Sequence, residues 1–166
     1  MFSKNNFQAL IEHLKENKLN KLEIELKNLE QLKSLVELMC TNQSTLTELI
    51  LIFQPKEEES SLFVEEIRKL IEKTEKLNKF KLIYRLKKED ILALKQSIIT
   101  NKSLQSLSMY FNDLSDKDTG AKELFEALNG NSSITSLEFN FSFLSEKNHL
   151  LFSQFLSNNQ KIKNLK

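Results

Sequence analysis

The sequence predicts one α/β domain over residues 1–166. It is a short curved solenoid, with a parallel sheet on its concave face and helices on its convex face. Two periodic patterns predict it. The first is an apolar triplet spaced three and then two residues apart, which recurs in phase along the chain. The second, lying between the triplets, is a pair of apolar residues four apart with a polar residue three later. Alternate residues of a strand share a face, and residues four apart share a face of a helix, so the unit is strand, loop, helix, turn.

Residues 1–18 come first and have no strand before them. Phe7, Leu10, Ile11 and Leu14 form one stripe there, the pattern of an N-terminal cap helix that closes one end of the core. Full repeats then start near Leu19, Leu46, Leu77, Leu104 and Ile134, and a partial one starts at Ile162. The strand triplets are Leu19, Leu22, Ile24; Leu46, Leu49, Leu51; Leu77, Phe80, Leu82; Leu104, Leu107, Met109; and Ile134, Leu137, Phe139. The helical signature reads Leu35, Met39, Asn42; Ile67, Ile71, Thr74; Leu94, Ile98, Asn101; Leu124, Leu128, Asn131; and Phe152, Leu156, Asn159. Asn at the end of a helix suits a residue that tolerates the left-handed conformation. The terminal "KIKNLK" predicts a short edge strand flanked by lysines, which discourage edge pairing.

No unit of about 28 residues buries its own apolar face, so each must stack on the next. Strands stack about 4.8 Å apart and helices about 10 Å apart, which places the sheet on the inner curve.

Composition narrows the function. The chain has 24 basic and 23 acidic residues and a net charge of +1, with the two signs interspersed, which speaks against nucleic acid or an anionic membrane as the partner. A single Cys, Cys40, fits a reducing, cytoplasmic location. The first residues carry charges throughout, unlike a signal peptide, and no apolar run reaches about 18 residues.

Chemistry-bearing residues are few. Cys40, His13 and His149 fall on different helices with no third orienting group, and one Cys with two scattered His does not make a zinc site. Gly120, near a helix start, and Gly130, at an expected helix cap, have roles in the repeat and not in a phosphate cradle. Neither a metal nor a cofactor is expected. The acidic run "PKEEESS", Pro55 to Ser61, reads as a solvated loop. Leu26, Phe53, Tyr84, Phe111 and Phe141 recur at one strand position and read as a buried ladder.

Two stretches carry a family resemblance: "TGAKELFEALNGNSSITSLEFN", Thr119 to Asn140, and "LQSLSMYFNDL", Leu104 to Leu114, which includes Asn112. They resemble the leucine-rich repeat of the ribonuclease-inhibitor type, also used by NOD-like receptors and Ran GTPase-activating proteins, and the likeness covers about residues 7–166. Lys27, Gln54, Arg85 and Ser142 stand where that family prefers Asn, so the ladder of Asn hydrogen bonds under its loops is expected to be incomplete.

A stand-alone, low-glycine array of this size is also similar to the small leucine-rich-repeat effectors that intracellular bacteria such as Legionella deliver into host cells. That resemblance implies a non-catalytic regulator in the host cytosol, monomeric when free, that covers the active site of a host protein or of another effector. A structural scaffold subunit is the alternative. The Ran GTPase activators suggest an enzymatic one, GTPase activation through Arg85.

Strand alternation exposes two columns on the concave face: Glu23, Ile50, Lys81, Ser108, Glu138, and Glu25, Ile52, Ile83, Tyr110, Asn140. Ile50, Ile52, Ile83 and Tyr110 form an apolar island, with Glu23, Glu25 and Glu48 on one side and Lys79, Lys81 and Arg85 around it. An apolar centre within a charged rim is how protein interfaces are built. Six short strands offer only about 400 Å², against about 800 Å² per partner in a standard interface. A partner is therefore expected to touch rim loops near Arg85, Asn112, Asp113 and Phe143 as well.

Overall fold

The computed structural model describes residues 4–16, 19–41, 45–54, 56–111, 120–141 and 146–166. Strand and helix alternate: α1 (Lys4–Lys15), β1 (Lys21–Leu26), α2 (Leu29–Cys40), β2 (Glu48–Phe53), a 3-10 turn (Glu57–Glu59), α3 (Ser60–Lys73), β3 (Lys79–Leu86), α4 (Lys88–Thr100), β4 (Ser106–Phe111), α5 (Ala121–Gly130), β5 (Ser136–Phe141), α6 (Glu146–Asn158) and β6 (Asn164–Leu165). All six strands lie in one parallel sheet in chain order. Leu22, Leu49, Phe80, Leu107 and Leu137 stand in register as one buried row, and Ile24, Leu51, Leu82, Met109 and Phe139 form a second. On α1, Phe7, Leu10, Ile11 and Leu14 are buried at the start of the core.

The helices return their predicted faces to the sheet, except at the end of the array. On α6 the buried residues are Asn148 and Phe155, the latter stacked 5.0 Å from Phe125, while Leu156 is 38% exposed. Among the described residues α6 has a helix neighbour, α5, on one side only. Leu165 of the edge strand is 43% exposed for the same reason. The acidic run is also more ordered than a solvated loop. Glu57–Glu59 form the 3-10 turn that leads directly into α3 at Ser60.

The residues after the helices do not serve as left-handed caps. Asn101 (φ −64°, ψ 134°) and Asn131 (φ −77°, ψ 140°) are extended, and their side chains do the capping. The Asn131 amide donates to Ile98 O and Asn101 O at 2.7 and 2.8 Å, and its carbonyl accepts from the backbone N–H of Ser133 and Ile134, each at 2.8 Å. Asn101 donates to Ile71 O at 2.6 Å and accepts from Ser103 and Leu104 N–H. Asn159 accepts from Lys161 and Ile162 N–H and donates to Asn129 Oδ1. The amide donors of Asn101, Asn131 and Asn159 all reach acceptors on the repeat before their own. The backbone repeats the pattern, with Asn78, Gln105, Thr135 and Lys163 N–H donating to Thr47, Asn78, Gln105 and Thr135 O.

Gly130 is the last residue of α5 and the cap is Asn131. Gly120 is the glycine that the backbone requires. Its φ is +72°, and a Cβ there would lie 2.8 Å from Ile91 Cδ1 and 3.2 Å from Lys88 Cα.

Phe63 of α3 sits between Phe53 and Tyr84, with ring centroids 4.9 and 4.6 Å away, so the ladder position is a core position there. The side chains of Phe111 and Phe141 lie outside the described residues. Tyr84 Oη is 2.7 Å from Ser60 Oγ. Nearby, the buried Asp90 carboxylate accepts the Lys87 backbone N–H at 2.8 Å. Burial pushes the Asp90 carboxyl above its usual range, offset in part by hydrogen bonds from the Lys87 backbone and the Tyr84 hydroxyl. A raised acid binds its proton more readily folded than unfolded, so its contribution to stability grows as pH falls from the raised value toward the usual one. Asp90→Asn is expected to remove this dependence. Between neutral pH and pH of about 4, wild type should gain stability relative to the variant, read from urea midpoints.

Candidate functional site

One face of the sheet packs against the helices and the other is open. Its side chains lie in rows that cross the strands. In the row nearest the strand starts, Glu48 is held between Lys21 (2.7 Å) and Lys79 (3.6 Å). Its hydrogen bond to Lys21 is the main cause that holds the Glu48 carboxyl below its usual range.

The next row runs Glu23, Ile50, Lys81, Ser108, Glu138. Lys81 Nζ reaches over β4 to Glu138 Oε1 at 2.8 Å and lies 5.5 Å from the centre of the Tyr110 ring. The bond to Glu138 is the largest influence raising the Lys81 ammonium. Ser108, expected on the exposed column, is only 4% exposed, and its hydroxyl is buried without a hydrogen-bond partner. A small residue on β4 is what lets the long side chains on β3 and β5 meet above it.

The third row begins Glu25, Ile52, Ile83 and then changes register. Leu82 pairs with Met109, but Arg85 pairs with Tyr110, so Ile83 and Tyr84 have no partner on β4. Two extra residues leave the alternation of faces intact, where one would have inverted it. Arg85 therefore stands beside Tyr110 in the place expected for Ile83, and the row ends with Asn140 of β5. The side chain of Asn140, together with Asn112, Asp113 and Phe143, lies outside the described residues.

The charges of the open face thus fall into two kinds. Glu48 and Glu138 are neutralised by the lysines around them. Glu23 and Glu25 on β1 and Arg85 at the far end of β3 are exposed and form no ion pair among the described residues. Between them lie Ile50, Ile52 and Ile83, each partly exposed, and Tyr110. On the helix side, Cys40 ends α2 in an open groove bordered by Lys33, Glu37, Glu66, Lys69 and Lys73, and burial pushes its thiol up, away from the reactive thiolate.

The architecture is that of a leucine-rich-repeat-type α/β solenoid. Among solved structures it is similar to the tropomodulin C-terminal domain of Caenorhabditis elegans, with a TM-score of 0.64 and 18% identity over 92% of each chain. It is also similar to leiomodin-1 actin-binding site 2, with a TM-score of 0.62 and 14% identity, covering 95% of this chain and 90% of that one. At these identities the likeness is one of fold. No family model matches the chain, and no curated protein does. The closer assignment, to ribonuclease-inhibitor-type repeats and small bacterial effectors, is corrected by these findings: the similar structures are tropomodulin and leiomodin domains. Composition and array size carry the effector resemblance, and neither reports on ancestry.

Proposed function

We propose that this chain is a protein-binding module that does no chemistry of its own and receives its partner on the open face of the sheet. The observation that carries this reading is the strip of Ile50, Ile52, Ile83 and Tyr110 between charges of opposite sign that form no ion pair among the described residues, Glu23 and Glu25 on one side and Arg85 on the other. Apolar surface left open between exposed charges of opposite sign is what an interface leaves when its other half is absent. Leiomodin-1, of like fold, carries an actin-binding site in the compared domain, which makes actin the first partner to test.

Tyr110→Ala is expected to cost about 2 kcal/mol or more of binding energy, because an aromatic anchor at the centre of a contact dominates it. Calorimetry with actin monomers checks this. The control is Glu126→Ala on the helix layer, where Glu126 pairs with Lys95 at 2.6 Å. If that control weakens binding as much as Tyr110→Ala, with both variants folded, the helix side is the contact.

Arg85, exposed beside Tyr110, also supports a second reading, the stabilisation of charge in GTP hydrolysis by a partner GTPase. Single-turnover hydrolysis by small GTPases is expected to be unchanged by this protein. Acceleration that disappears in Arg85→Ala would establish the catalytic reading instead.

A further inference from the structure

We propose that the occupant of the open face is an α-helix laid across the strands, whose facing residues read basic over β1, apolar over β2 and β3, and acidic at the β3–β4 boundary. This rests on the open face being the binding face, and it goes further by stating what binds there and in what order. The face itself supplies the template. Glu25, Ile52 and Ile83 pair in register on β1, β2 and β3, and beyond them the shifted register sets Arg85 beside Tyr110 at the β3–β4 boundary. Acid, apolar and apolar therefore follow one another across three strands, and the base follows at the far end of the third, beside β4. Glu23 lies two residues from Glu25 on the same face of β1 and strengthens the acidic end. The Lys81–Glu138 pair neutralises itself, so it does not compete with this order.

The spacing selects a helix. Neighbouring strands lie about 4.8 Å apart, and one helical turn advances about 5.4 Å. Residues i, i+3 and i+7 of a helix crossing the sheet thus meet β1, β2 and β3, and i+10 lies over β4, whose Tyr110 is paired with Arg85. An extended segment crossing the sheet presents same-face side chains about 6.7 Å apart and so meets the two isoleucines with one side chain. It would also press unpaired backbone N–H and C=O groups against Ile52 and Ile83, whereas a helix satisfies its own backbone.

Three soluble helical peptides of equal measured helicity test the proposal. One carries Lys, Leu, Leu and Glu at i, i+3, i+7 and i+10; one has Glu at both charged positions; one has Lys at both. In calorimetry against the full chain, the mixed peptide is expected to bind at least about tenfold tighter than either of the others. Against Glu23→Lys/Glu25→Lys, the preference is expected to pass to the peptide with two glutamates. Equal affinities, a preference unmoved by that double substitution, or no binding by any of the three overturns the proposal. Ile52→Asp separates its failure from that of the broader reading. If this variant abolishes binding but the three peptides bind alike, the open face stands and the charge order falls. If the mixed peptide binds Ile52→Asp as well as wild type, it sits elsewhere and the open face is the wrong surface. Circular dichroism melts of each variant verify that it is folded.

Discussion

Asn131→Ala is expected to lower the unfolding free energy by about 3 kcal/mol or more. Asn131 is 0% exposed and makes four hydrogen bonds of 2.7–2.8 Å to backbone groups, two as donor and two as acceptor. Alanine takes this partner from all four in a site closed to solvent, only Asn101 O keeping another, the Ser133 hydroxyl at 3.1 Å, and each orphaned buried group costs about 1 to 3 kcal/mol before relaxation. The third full repeat offers a natural comparison, because the position before its strand is Thr74, whose hydroxyl donates to Leu70 O at 2.7 Å. Asn131→Thr is therefore expected to fall between wild type and Asn131→Ala. Urea unfolding at constant slope measures both. A loss below about 1 kcal/mol for alanine would show that water replaces the amide.

Phe63→Ala is expected to cost about 3 to 5 kcal/mol, the range for removing a buried aromatic ring. Phe63 is 0% exposed and joins two repeats, since its ring contacts Phe53 of β2 and Tyr84 of β3. The void would open beneath the Ser60–Tyr84 hydrogen bond, so the start of α3 loses support together with the core. Phe63→Leu keeps most of the volume and is expected to cost less than about 1.5 kcal/mol. Equal losses for the two variants would mean that the ring contacts matter more than the filled space.

The strand rows were legible because burial of one sheet face imposes a period that no other force disturbs. Leu22, Leu49, Phe80, Leu107 and Leu137 fall in one row because a slip by one residue would have turned the whole strand outward. Asn101 and Asn131 were legible as positions but not in their role. The same residue type serves a left-handed cap and an extended turn, and only the neighbouring repeat's carbonyls decide between them. The Lys81–Glu138 pair had a visible sign in the sequence, opposite charges two repeats apart on either side of a serine, although that pattern equally suits two solvated side chains. The shift at Ile83 and Tyr84 had none. An even offset preserves the alternation, so the pattern of apolar and polar residues in β3 reads the same with or without it.

The hydrogen bonds of the turns, which run from each repeat to the one before it, make the turns at the two ends of the array unequal under truncation. Each turn lends its N–H groups to carbonyls of the repeat before it. Removing the last repeat bares carbonyl oxygens at the turn, which keep a second lone pair, together with the strand N–H of Phe139. Removing the first instead takes from the next turn the carbonyl that its N–H groups share. A nascent chain meets its acceptors before its donors, so each emerging repeat finds its template already in place. The turns are thereby suited to being built from the N-terminus.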